Sequence, residues 1–211
     1  MMQKTRNLSR DPLLLPGRIL TKATTTWMQL TYPFRKFGRG VSIHYTCEIA
    51  KSKAQRIIFG NDIYVAPDVW FNVPDGSQDS EPAIILGDGC QIGRRSVISA
   101  KNCIHLEADV LLAPSVLLMD HNHEYSDVNL PIHAQGTTSG GRITIGRNSW
   151  LGHNAVVFCS KGELVLGQNS VVGANSVVTK SFPPFSVIAG NPARLVKQYE
   201  PASGRWIRVR E

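Results

Sequence analysis

Aliphatic and polar positions alternate along this chain in six-residue phrases rather than in the 3.6-residue rhythm of a helix. In each phrase an aliphatic residue stands first, Gly or another small residue often second, and a small or aliphatic residue fifth. Clean phrases come in pairs: 59–64 with 65–70, 86–91 with 92–97, 106–111 with 112–117, 145–150 with 151–156, and 166–171 with 172–177. Ten phrases in register make an internal repeat, which decides the architecture before any single element does. Side chains alternate with period 2 along a strand, so the fifth and first positions point inward while the sixth and second point out. The third and fourth positions (Asp88-Gly89, Arg147-Asn148, Gln168-Asn169, Ala174-Asn175) form corners, where Gly and Asn tolerate unusual φ. No coil buries its aliphatic row alone, so coils must stack as parallel ladders. The prediction is an all-β fold, a parallel β-helix.

Spacing adds the cross-section. The pairs start at 59, 86, 106, 145 and 166. Removing three phrases per coil leaves insertions of 9, 2, 21 and 3 residues, each in or after the third side. A three-sided prism of about six coils follows, with its loops gathered near one corner. One step of 18 back from Phe59 reaches Val41, which is taken as the start of the prism. Residues 41–198 are therefore the domain, 1–40 an N-terminal extension of helical character, and 199–211 a basic tail.

Composition changes this picture at the N-terminus. The net charge of +7 is carried by residues 1–40, which hold eight cations and one anion, whereas the cations and anions of 41–211 cancel. Leu13, Leu14, Leu15, Ile19, Leu20, Trp27, Met28, Leu30, Tyr32 and Phe34 are interleaved with those charges. Either this is a solvated tail, or it meets an anionic membrane surface peripherally. With no basic stripe on the body and no base-reading motif, nucleic acid is not an expected partner. No stretch reaches a membrane span, because 12–28 is interrupted by Pro16, Gly17, Arg18 and Lys22. Leu13-Leu14-Leu15 is too short for a secretory h-region, so the expectation is cytoplasmic, peripheral at the inner face of the membrane. Four cysteines without C-x-x-C or regular spacing argue against a zinc ribbon or a disulfide framework.

The repeat, together with the closing segment Ala189-Gly190-Asn191-Pro192-Ala193-Arg194, resembles the hexapeptide-repeat acyltransferases. Asp120-His121-Asn122-His123 and the long loop after it resemble the cell-surface polysaccharide and sugar O-acetyltransferases within that family. The resemblance implies a left-handed β-helix, acetyl-CoA as co-substrate, no metal, and a homotrimer with sites between subunits. It also implies transfer of an acetyl group to a sugar hydroxyl in cell-surface polysaccharide biosynthesis.

Such transfer needs a base for the hydroxyl proton and a donor for the oxyanion. Counting from Leu118 as first position, His121 is fourth, at a corner, and His123 sixth, pointing outward. By resemblance His123 is the base and His121 the second candidate; a register shift of two would reverse them. Asp120 would orient a histidine or meet the acceptor, with Tyr125 and Asp75 as further acceptor contacts. The loop of about 124–142 reads as a lid ordered by Tyr125, Leu130 and Ile132, with a mobile Gly-rich trailing arm from Gly136 to Gly141. For coenzyme A, the resemblance points to Trp150, an outward aromatic, to Gly152 and His153, to Ala174, and to the cations Lys180, Arg194 and Lys197. One departure stands out. Galactoside- and maltose-type enzymes carry an acceptor-binding carboxylate where this chain has Ile98-Ser99-Ala100-Lys101. The competing functions are N-acetylation of an amino sugar or antibiotic, a γ-type carbonic anhydrase using His105, His121 and His123, and a non-catalytic β-helix platform.

Overall fold

The computed structural model describes residues 12–75 and 81–209. Six coils each contribute one strand to each of three parallel sheets. Face A contains Lys36–Phe37, Ile57–Phe59, Ile84–Leu86, Cys103–Leu106, Gly140–Ile145 and Lys161–Leu166. Face B contains Ser42–Ile43, Tyr64–Val65, Gln91–Ile92, Leu111–Leu112, Trp150–Leu151 and Val171–Val172. Face C contains Glu48–Ile49, Trp70–Asn72, Val97–Ser99, Leu117–Met119, Val156–Phe158 and Val177–Val178. This is the three-sided parallel β-helix that the hexads predict, with the left hand that the resemblance implies.

The register follows the repeat residue by residue. Phe59, Leu86, Leu106, Ile145 and Leu166 pair in turn on face A, and all are buried. Ile98, Leu118, Val157 and Val178 do the same on face C. The small fifth-position serines are buried too. Ser170 Oγ donates to the Gly167 carbonyl at 2.6 Å, which removes the cost of an unpaired hydroxyl. At the corners, Asp62, Asp68, Asp109, Asn148, Asn154, Asn169 and Asn175 all take positive φ. The second-position glycine is needed for close stacking: a Cβ on Gly152 would stand 2.7 Å from the Ala174 nitrogen of the next coil.

Every long insertion leaves the prism between face C and face A. The first coil departs from the sequence-based start. It opens at Lys36, not Val41, because Phe37 pairs with Phe59. The step to Phe59 contains the 3-10 turn Lys51–Arg56, so counting back by 18 lands on Val41, one residue ahead of the face B strand Ser42–Ile43. The C-terminal end also differs. Ser186–Gly190 adds a parallel strand to face B, and Ala193–Glu200 and Arg205–Arg208 continue it as an antiparallel hairpin. Residues 199–208 are thus sheet and not tail, tied down by Tyr199, whose ring lies 5.9 Å from Phe185 and 5.5 Å from Trp206.

Helix α1 (Leu15–Thr31) sits against the opposite end of face B. Thr25 Oγ1 donates to the Ile43 carbonyl at 2.9 Å and accepts from the Ile43 N–H at 3.0 Å, so one hydroxyl satisfies both backbone groups at the edge. Met28 completes the core beside Ile43 and Cys47. Residues 1–11, including Lys4, Arg6 and Arg10 of the basic extension, lie outside the described residues. All four cysteines are free thiols, and burial pushes Cys47 and Cys90 up to about 11.

Candidate active site

The face C strand of the fourth coil, Leu117–Met119, delivers Asp120 into the corner where the long loop departs. Asp120 is fully buried. Its carboxylate accepts three successive backbone N–H groups of the preceding corner: Lys101 at 2.7 Å, Asn102 at 2.8 Å and Cys103 at 2.9 Å. Such a nest of amides compensates a buried anion. The fourth donor is His121 Nδ1, 3.0 Å from Asp120 Oδ1, on a ring that is itself buried. Because a carboxylate accepts, Nδ1 is the donor of this pair, and the ring's Nε2 is left outside it. Both oxygens of Asp120, expected from sequence to orient a histidine or meet the acceptor, are thus engaged inside the protein, by His121 and by the backbone.

His123 lies two residues on and is exposed. It pairs as an isolated antiparallel bridge with Thr137 on the returning limb of the loop. Around it, Glu124 N–H donates to Gly136 O at 3.0 Å and Thr138 N–H to Asn122 O at 2.8 Å. The returning limb is strapped by Lys101, whose Nζ donates to Thr138 O at 2.6 Å, Thr137 Oγ1 at 3.0 Å and Thr137 O at 3.3 Å. Lys101 is in turn held from behind: the buried Arg56 guanidinium donates twice to its carbonyl, at 3.3 Å each. Asn102 adds a 2.9 Å bond to Ser139 O. The trailing arm expected to be mobile is thus the fastened side.

The loop tip is ordered by polar contacts. Gln135 accepts from the Asp127 N–H at 3.0 Å and donates to Asp127 O and Leu130 O at 2.8 and 2.9 Å. Glu124 accepts from the backbone of Tyr125 and Ser126, and hydrogen bonding, with Ser126 foremost, holds its carboxyl below the usual range. Tyr125, Leu130 and Ile132, expected as the anchors that order the loop, are exposed. They leave an apolar outer surface on the loop.

The residues assigned to coenzyme A stand in four other places. Trp150 lies on face B of the fifth coil, 49% exposed, between Leu111 and Val171. Gly152 and His153 form the following corner, stacked against Ala174 of the sixth coil, with Asn175 N–H donating to His153 O at 2.9 Å. Lys180 lies after the last face C strand, its Nζ 5.6 Å from the Phe182 ring centre. Arg194 and Lys197 are exposed on the antiparallel strand that prolongs face B. Arg194 and Arg208 border an open cavity of about 1040 Å³ with Gly190, Asn191 and Pro192. Among the described residues no contact joins His123 to Trp150: His123 follows the face C strand of the fourth coil, and Trp150 lies on face B of the fifth. Asp75 is also apart, at the same corner but two coils earlier, where its exposed carboxylate forms a 2.6 Å ion pair with Lys53. Lys53 holds that carboxyl below its ordinary range. Among the described residues, no three His, Cys, Asp or Glu side chains converge as a metal-ligating group.

Sequence reasoning missed Lys101, Arg56, Asn102 and Gln135. Their partners lie 5 to 45 residues away, and nothing in their local composition marks them.

Residues 142–180 match the family described as the hexapeptide repeat of succinyl-transferase. Over 162 residues the chain is 30% identical to a Mycobacterium tuberculosis protein named as an acetyltransferase, covering 76% of this chain and 48% of that one. Over 130 residues it is 34% identical to WbbJ of Escherichia coli, a protein named for O-acetyl transfer in lipopolysaccharide biosynthesis, covering 58% of this chain and 64% of WbbJ. The chain thus spans about half of the first relative's length and less than two thirds of the second's. Among solved structures it is similar to a single-residue variant of AntD, an N-acyltransferase from Bacillus cereus in complex with dTDP and coenzyme A. That match has a TM-score of 0.67 at 15% identity, over 85% of this chain and 90% of the other.

Proposed function

From the premise that this chain belongs to the hexapeptide-repeat acyltransferases of the left-handed β-helix fold, we propose that it is an acetyl-CoA-dependent O-acetyltransferase acting on a sugar in cell-surface polysaccharide biosynthesis. The observation that carries this reading is the strapped loop base, which presents an exposed imidazole, His123, beside a buried Asp120–His121 pair.

Acetyl-CoA supplies an activated thioester carbonyl. His123 accepts the proton of the acceptor hydroxyl as that oxygen attacks, and returns it to the departing sulfur, so no acyl-enzyme is needed. The choice of His123 over His121 rests on access: a base must reach the acceptor, and His121 is enclosed with Asp120. The fit to coenzyme A rests on the exposed indole of Trp150, on small residues at the Gly152 and Ala174 corners that let a chain approach the backbone, and on Lys180, Arg194 and Lys197 for phosphates. The His153 N–H is the proposed oxyanion donor. Because His123 and Trp150 lie on different faces of one chain, the complete site is proposed to form between neighbours in a homotrimer. The outward Val97, Leu111, Leu117, Val156 and Val171, with the exposed apolar loop tip, would supply the contact. The acceptor is proposed to be carried on a membrane lipid, which places the enzyme at the inner face of the membrane.

The likeness to AntD supports one second reading, acylation of an amino sugar. Assay with a hydroxyl-bearing and an amino-bearing sugar separates the two.

The test is calorimetric titration with acetyl-CoA, with zinc quantified on the same sample. One site per chain, lost in Trp150→Ala and retained in His123→Ala while turnover falls by about 10²–10⁴-fold, supports the proposal. No binding, with one zinc per chain, overturns it. A larger loss of turnover in His121→Ala than in His123→Ala would exchange their roles. Sedimentation as a monomer would contradict the trimer.

A further inference from the structure

Helix α1 wears its amphipathicity inside out. The side turned to the prism is small and polar: Gly17, Thr21, Thr24 and Thr25, with Met28 as its one large apolar contact. The side turned away carries Leu15, Ile19, Leu20, Trp27 and Leu30, which are 55%, 62%, 45%, 54% and 79% exposed. At 3.6 residues per turn these five share an arc of about 140° opposite the Thr25–Met28 side. Leu13 and Leu14 prolong the exposed apolar surface beyond the N-terminal end of the helix. A monomer gains nothing by presenting so continuous a stripe to water.

Charge identifies what covers it. From residue 12 to residue 47 the chain contains no Asp or Glu, and it contains Arg18, Lys22, Arg35, Lys36 and Arg39. Arg18 and Lys22 are exposed and fall on one flank of the apolar arc. A second copy of this helix laid against the first would bring cations together, which costs binding energy. An anionic lipid surface instead complements both features, taking the apolar stripe below its headgroups and the cations at their level. At 17 residues the helix is too short and too polar to span a bilayer, and no described helix qualifies as a span. It is long enough to lie in the interface, with Trp27 at headgroup depth.

We propose that α1 is a membrane-docking helix that inserts its Leu15–Ile19–Trp27–Leu30 face into an anionic bilayer surface and leaves the β-helix in water. This goes beyond the proposed activity and does not depend on it.

The experiment uses the full chain with vesicles of phosphatidylcholine alone or with about one third phosphatidylglycerol. Co-sedimentation with the anionic vesicles only, weakened on raising salt from about 0.05 to about 0.5 M, is expected. Brominated acyl chains should quench part of the tryptophan emission, and Trp27→Phe should abolish that part. The double variant Ile19→Glu/Leu30→Glu should lose vesicle partitioning by at least about tenfold with an unchanged melting temperature, which separates lost docking from misfolding. No partitioning to either vesicle overturns the proposal, as does equal binding to neutral lipid. Retained vesicle binding in the double variant, with its oligomer dissociating, would also overturn it and assign the stripe to a second copy of the chain.

Discussion

Three oxygens of the returning loop limb converge on the Lys101 ammonium, while the Lys101 peptide is held at its N–H by Asp120 and at its carbonyl by Arg56. Thr137, which supplies two of those oxygens, is the residue that bridges to His123. A change at Lys101 therefore acts on the imidazole through one intervening residue. Lys101→Met is expected to lower kcat about 10-fold or more with little change in acetyl-CoA affinity, since the strap bears on positioning and not on the cofactor face. Limited proteolysis should cut within 124–139 faster in that variant, and Lys101→Arg should restore part of both properties. Asp120→Asn is expected to destabilise the fold by about 1–3 kcal/mol, because three backbone donors lose a charged acceptor; a urea titration reads this directly. In the sequence Lys101 stands out only as a missing acid, and Asp120 reads equally well as solvated. Burial and the convergence of distant amides are properties of the corner, invisible in the one-dimensional string.

For the strands, by contrast, the string is nearly sufficient. A hexad encodes its own inward and outward rows, so all ten clean phrases predict the buried register without tertiary information. Legibility ends where the phrase breaks. In the first coil Phe37-Gly38-Arg39-Gly40-Val41-Ser42 carries the same signature as the phrase that opens Phe59-Gly60, but the 3-10 turn Lys51–Arg56 lengthens the step, so counting back by 18 stops short of it and shifts the expected start by five residues. Loop order is illegible for a related reason: glycines suggest freedom, but Gly140 and Gly141 enter a ladder with Lys161 and Gly162. Helix α1 is visible as apolar and basic, yet which side it turns inward depends on a threonine pairing with an edge 18 residues away. Thr25→Val keeps the shape and removes both hydrogen bonds. It is expected to cost about 1–3 kcal/mol, measured as a lower urea midpoint, and to increase exchange at the Ile43 amide.

The molecule as a whole is a column closed at both ends, by α1 below and by the Ala193–Arg208 hairpin above. Its interior keeps two thiols protonated at about 11, well above their unfolded value, so the unfolded chain releases protons first as the solution becomes alkaline. Stability is then fully present below about pH 9 and declines from there through about pH 11. Urea midpoints at pH 8 and pH 10.5 should show the decline, and Cys47→Ala/Cys90→Ala should flatten it. Between the closures, every coil adds one strand spacing to the column's height, about 4.8 Å. The helix sits at the first coil and the His123 corner at the fourth, so three spacings, about 14 Å, separate them along the axis. That distance is quantised. Splicing one further coil in ahead of Arg56 would move that corner relative to the base of the column by a single fixed increment, with Arg56, Lys101 and Asn102 travelling with the residues they hold. A repeat of this kind is a ruler, and evolution can set its reach in whole steps without redesigning what stands at the mark.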